Sequence, residues 1–431
     1  MNEFQKQPAT SHYAHYPEGE FPVYLAYGFR PIFLVLAPYI VLSIILWAFL
    51  YSGMISLPIE NILNWHIYEM VFGIGSAMMI AFFLTGLPEL FPGVVPIVGR
   101  KLLYIVVLWV LGRFSFWFID YVGVFIVAFL NISLILYITL LAAIPVFKDK
   151  NKKHVSLAYS MLSIVAVQIA FFLSLEKVID IDPYRILLLS IGLFLVLILL
   201  ALRRVSMESI NEMLEYEKID EVFFARAFRY NLAIFSILLY SFVEFFYPGN
   251  SVLGYIALAC FASILGTLND FVLKDNNILL KPFVLYIISA LVMTAIGYLF
   301  MAGNYIFSLN SLNHFRHFLT TGSFGMVFYI VMIIVSTIHT GRPIFTNKYL
   351  NIGLFLIILA TFIRAFIPFY ESSTVIIKCK AGLVEEKTKI ENNATVSGDY
   401  ILSKTTNTIT HTILPYDYED NQDPDNPDNP D

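Results

Sequence analysis

Eleven runs of about twenty apolar residues, separated by short polar connections, constrain this chain more than any other feature. Lipid offers no hydrogen bonds to bare backbone, so a run of that length and character reads as a membrane-spanning helix. The runs are Pro31 to Tyr51, Tyr68 to Leu87, Leu102 to Ile119, Val122 to Phe147, Val155 to Leu175, Tyr184 to Leu202, Phe228 to Phe246, Val252 to Leu273, Phe283 to Ala302, Phe315 to His339 and Tyr349 to Phe369. The third and fourth are joined only by Asp120 and Tyr121. The expected fold is an all-α integral membrane protein, a polytopic bundle of about 11 transmembrane helices over residues 31–370. A polar segment, residues 1–30, precedes it without the apolar stretch of a signal peptide, and a polar acidic tail, residues 371–431, follows. Composition agrees: 58% of residues are apolar and 14% charged, where a soluble domain carries about a quarter charged residues. The partner implied for most of the surface is a lipid bilayer.

Charge is distributed unevenly. The net charge of -5 conceals a tail with 12 acidic and 5 basic residues and a remainder with 20 acidic and 22 basic residues. The basic residues of the connections fall on one face: Arg100 and Lys101; Lys148, Lys150, Lys152 and Lys153; Arg203 and Arg204; Lys274 and Lys281; Arg342 and Lys348. Alternate loops such as Ser52 to His66, Tyr247 to Ser251 and Gly303 to Asn313 have no Lys or Arg. The positive-inside rule then places the N-terminus and the basic loops in the cytoplasm, and an odd number of spans sends the tail to the other side. The longest basic connection, Arg203 to Arg229, contains SMESINEMLEYEKIDE and reads as a short amphipathic surface helix. In the tail, Ser372 to Leu414 is Thr-rich and β-branched, the pattern of a small β-hairpin unit; the ending DNQDPDNPDNPD is disordered by composition. The tetrapeptide RPIF at Arg30–Phe33 and again at Arg342–Phe345 is short enough to recur by chance.

Several function classes are excluded. No basic stripe with interleaved aromatics exists to neutralise phosphates, so nucleic acid is not a partner. Two cysteines, Cys260 and Cys379, make neither a disulfide framework nor a CxxC site. No P-loop, nucleophile elbow or HExxH pattern is present.

Polar side chains at span edges or inside spans carry the functional signal, because they are expensive there. Of eight histidines, His12, His15, His154 and His411 read as solvated, while His66, His314, His317 and His339 fall at span edges. His66 opens the second span and His317 the tenth, at the same outer depth; His66 and Glu69 are three apart and share a helical face. A neutral imidazole there is a ligand for haem iron or copper, with Glu69 supporting it; the alternative is a pair of interfacial histidines bonded to headgroups or loop carbonyls. His339 is 22 residues beyond His317, about 33 Å along a helix, so the two cannot hold one metal. Arg113 lies about 17 Å into the third span and must meet a carboxylate, haem propionate, carbonyl or water. Arg364 shares its depth with Glu244, which points to a salt bridge or snorkelling. The runs Gly73 to Ala77 and Gly322 to Gly325 supply small residues for close helix approach.

The sequence resembles the NnrS family, polytopic bacterial membrane proteins associated with the response to nitric oxide. The resemblance rests on Tyr27 to Phe33 (YGFRPIF), Trp65 to Gly73 (WHIYEMVFG), His317 to Gly322 (HFLTTG) and His339 to Pro343 (HTGRP), with Leu108 to Arg113 (LWVLGR) as a weaker fifth stretch. It implies a multi-pass protein of the bacterial inner membrane, usually with twelve spans, and metal roles for His66, His317 and His339. The cofactors implied are haem, of b type, with copper as a second candidate. This chain has Tyr68 where the family usually has histidine, and only tyrosine or serine around Tyr286 to Ser289 where it usually has another. Fewer imidazoles favour haem over copper and leave the Tyr68 phenol as an alternative ligand or hydrogen-bond donor. The function expected is a haem-containing protein, with copper as a second candidate, of nitric oxide tolerance or metabolism under nitrosative stress. Two alternatives stay open. One is a metal-free transporter with a pathway lined by Arg113 and Glu69. The other is a redox enzyme acting on nitric oxide, which would need an electron entry that no CxxCH or iron–sulfur spacing provides.

Overall fold

The computed structural model describes residues 21–367, apart from residues 60, 92–93, 151–153, 274–277, 279–280, 310 and 341–347, together with residues 388–392, 395–398, 401–405 and 409–413. His12, His15, Cys379, the second RPIF and the acidic ending lie outside the described residues.

All eleven expected segments are helical. In chain order they are α1 (Phe29–Tyr51); α2 (Ile62–Tyr68) continuing through a π-helical stretch, Glu69–Ile74, into α3 (Gly75–Leu90); α4 (Gly99–Trp117); the short turn α5 (Ile119–Val122); α6 (Val124–Lys148); α7 (Val155–Leu175); α8 (Pro183–Tyr216); α9 (Ala227–Phe246); α10 (Val252–Thr267); α11 (Pro282–Phe307); α12 (Leu312–Arg316), a second π-helical stretch, Phe318–Phe324, and α13 (Gly325–Ile338); and α14 (Lys348–Phe366). Among the described residues, ten helices are long and apolar enough to cross a membrane. The expected third span, α4, is helical too, but carries Arg100, Lys101 and Arg113 within its 19 residues. The expected hairpin unit in the tail is present as nested antiparallel pairs: β1 (Thr388–Asn392) with β4 (Ile409–Ile413), and β2 (Thr395–Gly398) with β3 (Ile401–Thr405).

Local chemistry sets the helix ends. Asn61 starts α2 by accepting from the backbone N–H groups of Leu63 and Asn64, both at 3.0 Å, as an N-cap asparagine should. Asp182 caps α8 in the same way, with Pro183 at the first helical position. The tight reversal between α4 and α6 is made by α5 and by Gly123, whose φ of 88° is a conformation that glycine adopts without penalty.

One expectation fails. The segment after Leu202 is no separate surface helix; it continues α8 to Tyr216, 34 residues in all, about 51 Å long against a hydrocarbon core of about 30 Å. No glycine or proline interrupts it there, and its inner face, Ser206, Ser209, Ile210, Met213 and Leu214, is buried. Asn211 holds the returning chain by donating to the Phe223 carbonyl at 3.0 Å and accepting from the Phe223 N–H at 2.7 Å. The helix ends where Lys218 turns left-handed, at φ 58°.

Burial separates central from peripheral spans. Inside the protein lie 83% of the apolar window of Ile62–Pro88 and 78% of that of Pro183–Tyr216, against 28% for α1 and 17% for the last span. The second and sixth spans are therefore the axis around which the others pack. Small residues set their approach: a Cβ on Gly192 of α8 would lie 2.7 Å from the Ser241 Cβ of α9, with no flexible atom to give way. Gly192→Ala is expected to cost about 1–3 kcal/mol through overpacking and to lower the unfolding temperature in detergent. Gly86→Ala, at a helical glycine with open space around it, should not, as thermal unfolding followed by circular dichroism will show.

Candidate functional site

Four spans bring polar groups to one end of the bundle. His66 on α2 stacks on Trp47 of α1, with ring centroids 4.0 Å apart and planes 11° apart. Its Nδ1 is buried and makes no hydrogen bond. His317, which joins α12 to the second π-helical stretch, has Nδ1 2.8 Å from the Asn313 carbonyl. A proton on Nδ1 makes that contact a hydrogen bond and leaves Nε2 with its lone pair. The carboxamide oxygen of Asn313 accepts from the Tyr184 hydroxyl at 2.9 Å, so the helical turn that fixes the His317 ring is itself tethered to α8. His66 and His317 lie within electrostatic reach of each other and of Arg364 on α14. Arg364 also contacts His314, Nη1 to Nδ1, at 3.1 Å. The shared depth expected for Arg364 and Glu244 does not become a salt bridge, because Glu244 is taken by Arg316.

One turn deeper, Glu69 begins the first π-helical stretch, completely buried. The Arg113 guanidinium on α4, 3% exposed, pairs with Glu69 Oε2 at 3.0 Å, and the Tyr39 hydroxyl of α1 donates to the same oxygen. Arg113 also donates to Asn131 Oδ1 of α6, whose amide nitrogen donates to the Val127 and Gly112 carbonyls at 2.8 and 3.3 Å. Of the partners that Arg113 required, it finds a carboxylate. Gly73 makes the approach possible: a Cβ there would lie 2.5 Å from Glu69 Oε2 and 2.8 Å from Arg113 Nη1. The Gly73 carbonyl accepts from Trp109 Nε1 at 3.1 Å.

The expected support of His66 by Glu69 is not what the structure shows. The hydrogen bonds of Glu69 go to Tyr39 and Arg113, and His66 Nδ1 has none. The expectation assumed α-helical spacing, and the helix widens to π at Glu69. Tyr68 is likewise not among the histidines. Its ring is fully buried, stacked on Phe116, Phe171 and Phe72 at 4.1, 4.9 and 5.1 Å, and its hydroxyl accepts from Gln168 Nε2 at 2.9 Å.

The second and tenth spans share a design. Each has a histidine, then a π-helical stretch, then a glycine from which α-helix resumes; π-bulges of this kind are frequent at functional sites. Each also anchors a buried arginine–carboxylate pair closed by tyrosine. On the tenth span, Arg316 grips Glu244 of α9 with both terminal nitrogens, one contact measuring 2.9 Å. Tyr240 and Tyr305 donate to the same carboxylate at 2.9 and 3.4 Å. This second pair was not read from the sequence, although a charged Arg316 inside a span opening is the signal that marks it. Asn131 and Gln168, amides inside apolar runs, give a weaker signal of the same kind, and Tyr39 gives none.

His339 ends the tenth span at the far end of the bundle. It is buried and packs on the rings of Tyr27 and Phe29 at 6.2 and 5.6 Å, while Arg30 lies 4.3 Å over the Tyr27 ring. The first and last of the resembling motifs thus meet here, far from His66. Among the described residues, no group of three or more His, Cys, Asp or Glu side chains is placed to hold a metal ion.

A bundle of this kind, with charged pairs locked inside its spans and histidines gathered at one end, defines a polytopic helical membrane protein with an intramembrane polar site. The chain belongs to the NnrS family, whose model, described as NnrS protein, matches residues 23–383. That membership associates it with the response to nitric oxide. No curated protein and no solved structure gives a match.

Breaking a buried ion pair by removing one partner costs about 3–5 kcal/mol, whereas replacing both by apolar groups is far less harmful. Arg113→Met and Glu69→Leu are each expected to lower thermal stability in detergent strongly, and the double variant to recover a large part of the loss. Additive losses in that double-mutant cycle would show that the pair does not act as a unit.

Proposed function

We propose that this NnrS-family protein binds haem at the end of the bundle where His66 and His317 converge, and acts there in the response to nitric oxide. The observation that carries the reading is the state of the two imidazoles. His66 keeps a buried ring nitrogen without a protein partner, and His317 has Nδ1 engaged by a backbone carbonyl, the outer contact that fixes the tautomer of a metal-ligating histidine. The donor types suit the group: imidazoles from the second and tenth spans for the iron, Trp47 against one of them, and the Arg364 guanidinium, which acts electrostatically on both, for a propionate. When bound, haem supplies an iron that takes a diatomic ligand such as nitric oxide. The residues of the chain hold and orient it, and the apolar spans around them keep bulk water away. His339 belongs to no such set. Its neighbours Tyr27 and Phe29 support a packing role.

Orientation belongs to the same proposal. The basic connections lie on the face opposite the histidine end, which supports a bacterial inner-membrane protein with its N-terminus in the cytoplasm and its haem toward the outer face. The transporter reading has less support, because Arg113 and Glu69 are locked to each other and to Tyr39 and Asn131. Purified protein is expected to show a Soret band that shifts on addition of nitric oxide. His66→Ala or His317→Ala should abolish the band, Arg364→Leu should loosen the haem, and His339→Ala should retain it. Colourless protein whose spectrum is unchanged by added haem overturns the proposal.

A further inference from the structure

At the same end of the bundle, between α2, α4, α6, α7 and the loop leading to α8, a cavity of about 860 Å³ opens to the surface. Its exposed lining includes Asp120, Lys177, Asp180 and Asp182, and its inner wall is Asn64, Trp65, Phe116 and Phe171, all buried. Phe116 and Phe171 are the rings on which Tyr68 stacks. Behind them come Gln168, bonded to the Tyr68 hydroxyl, and Arg113, with its guanidinium carbon 5.6 Å from the Tyr68 ring centre.

Along this line lie five buried polar atoms that make no hydrogen bond within the protein: Asn64 Oδ1, Trp65 Nε1, Gln168 Oε1, Arg113 Nε and Glu69 Oε1. Buried polar groups are almost always satisfied, by protein or by ordered water. Five of the fourteen such atoms among the described residues belong to this one set of neighbours, three acceptors and two donors, which begins in the wall of an open polar cavity and ends on an ion pair. A ligand that meets all five must both donate and accept and must be small enough to pass between aromatic rings. Water is the molecule with that chemistry.

We infer that the cavity is the mouth of a hydrated passage that carries water, and with it protons, past Trp65 and Tyr68 to the Glu69–Arg113 pair. The inference does not depend on whether haem binds at His66. It gives the buried pair contact with the side of the membrane on which the cavity opens, and it accounts for a carboxylate oxygen in the core, Glu69 Oε1, that has no protein partner.

Radiolytic hydroxyl-radical footprinting of the full chain in nanodiscs, read by mass spectrometry, tests this directly, because bound internal water generates the radical beside buried rings. Trp65 and Tyr68 are expected to be modified several-fold faster than Tyr298 and Phe223, which are equally buried elsewhere. Asn64→Leu should slow modification of Tyr68 and leave Tyr298 unchanged. Equal rates for the two groups in the unaltered protein would overturn the passage, and that comparison stands even if the variant fails to fold. Modification of Tyr68 that Asn64→Leu, correctly folded, does not slow would overturn the cavity as its entrance.

Discussion

A charge placed inside a membrane protein must find its opposite, and in this bundle one such pair fixes where four spans can go. Glu69 of the second span has its partner Arg113 on the third, Tyr39 reaches it from the first, and Asn131 of the fourth closes on the arginine. Moving any of these helices by a fraction of its diameter would strand a buried charge, a penalty larger than the packing energy of several methyl groups. The pair is thus weak evidence for stability but strong evidence for register: it permits one arrangement of the four helices. The Arg316–Glu244 pair does the same for the seventh and tenth spans, and Tyr305 ties in the ninth.

Those ion pairs and the π-helical stretches depend on each other. A π turn has one residue more than an α turn, which leaves backbone carbonyls imperfectly paired and rotates the side chains beyond it. In the second span the Gly73 carbonyl takes the Trp109 indole N–H, and the absent Cβ at Gly73 leaves room for the guanidinium. The widened turn would be a liability on a helix facing lipid. On the most buried helix of the bundle it lets His66 and Glu69, three residues apart, serve different neighbours: Trp47 for one, Arg113 for the other.

The fold was largely legible in the sequence, because hydropathy runs of twenty residues record the bilayer directly, and even the short hairpin pattern of the tail survives in the pairing of Thr388–Asn392 with Ile409–Ile413. The extension of α8 was not, since charged residues after Leu202 announce the end of the membrane and say nothing about the end of the helix. The site was half legible. Intramembrane Arg113 and the histidines at span edges declare themselves by their cost, but partnership is a property of three-dimensional neighbours. Depth matched Arg364 with Glu244, whereas packing gave Glu244 to Arg316. Spacing matched His66 with Glu69, a match lost to a π turn that no residue pattern announces. Tyr39 and Tyr184, which complete the two polar networks, are indistinguishable in sequence from the many tyrosines that merely fill space.

The two ends of the bundle differ in how their histidines are surrounded, and that difference argues for where function is located. At the far end His339 lies against Tyr27 and Phe29, Arg30 over the Tyr27 ring, and Gly28 so close to Leu84 that a Cβ would fall 2.5 Å from the leucine side chain. Packing this tight is the signature of a joint among the first, second and tenth spans, and its demands on residue identity are steric. At the other end lie half-buried imidazoles, a ring nitrogen without a partner and an open polar cavity whose wall continues as a line of unpaired donors and acceptors. The tenth span, which joins the two ends, is thus anchored by packing at His339 and holds the His317 imidazole, with Nδ1 on the Asn313 carbonyl, at the other.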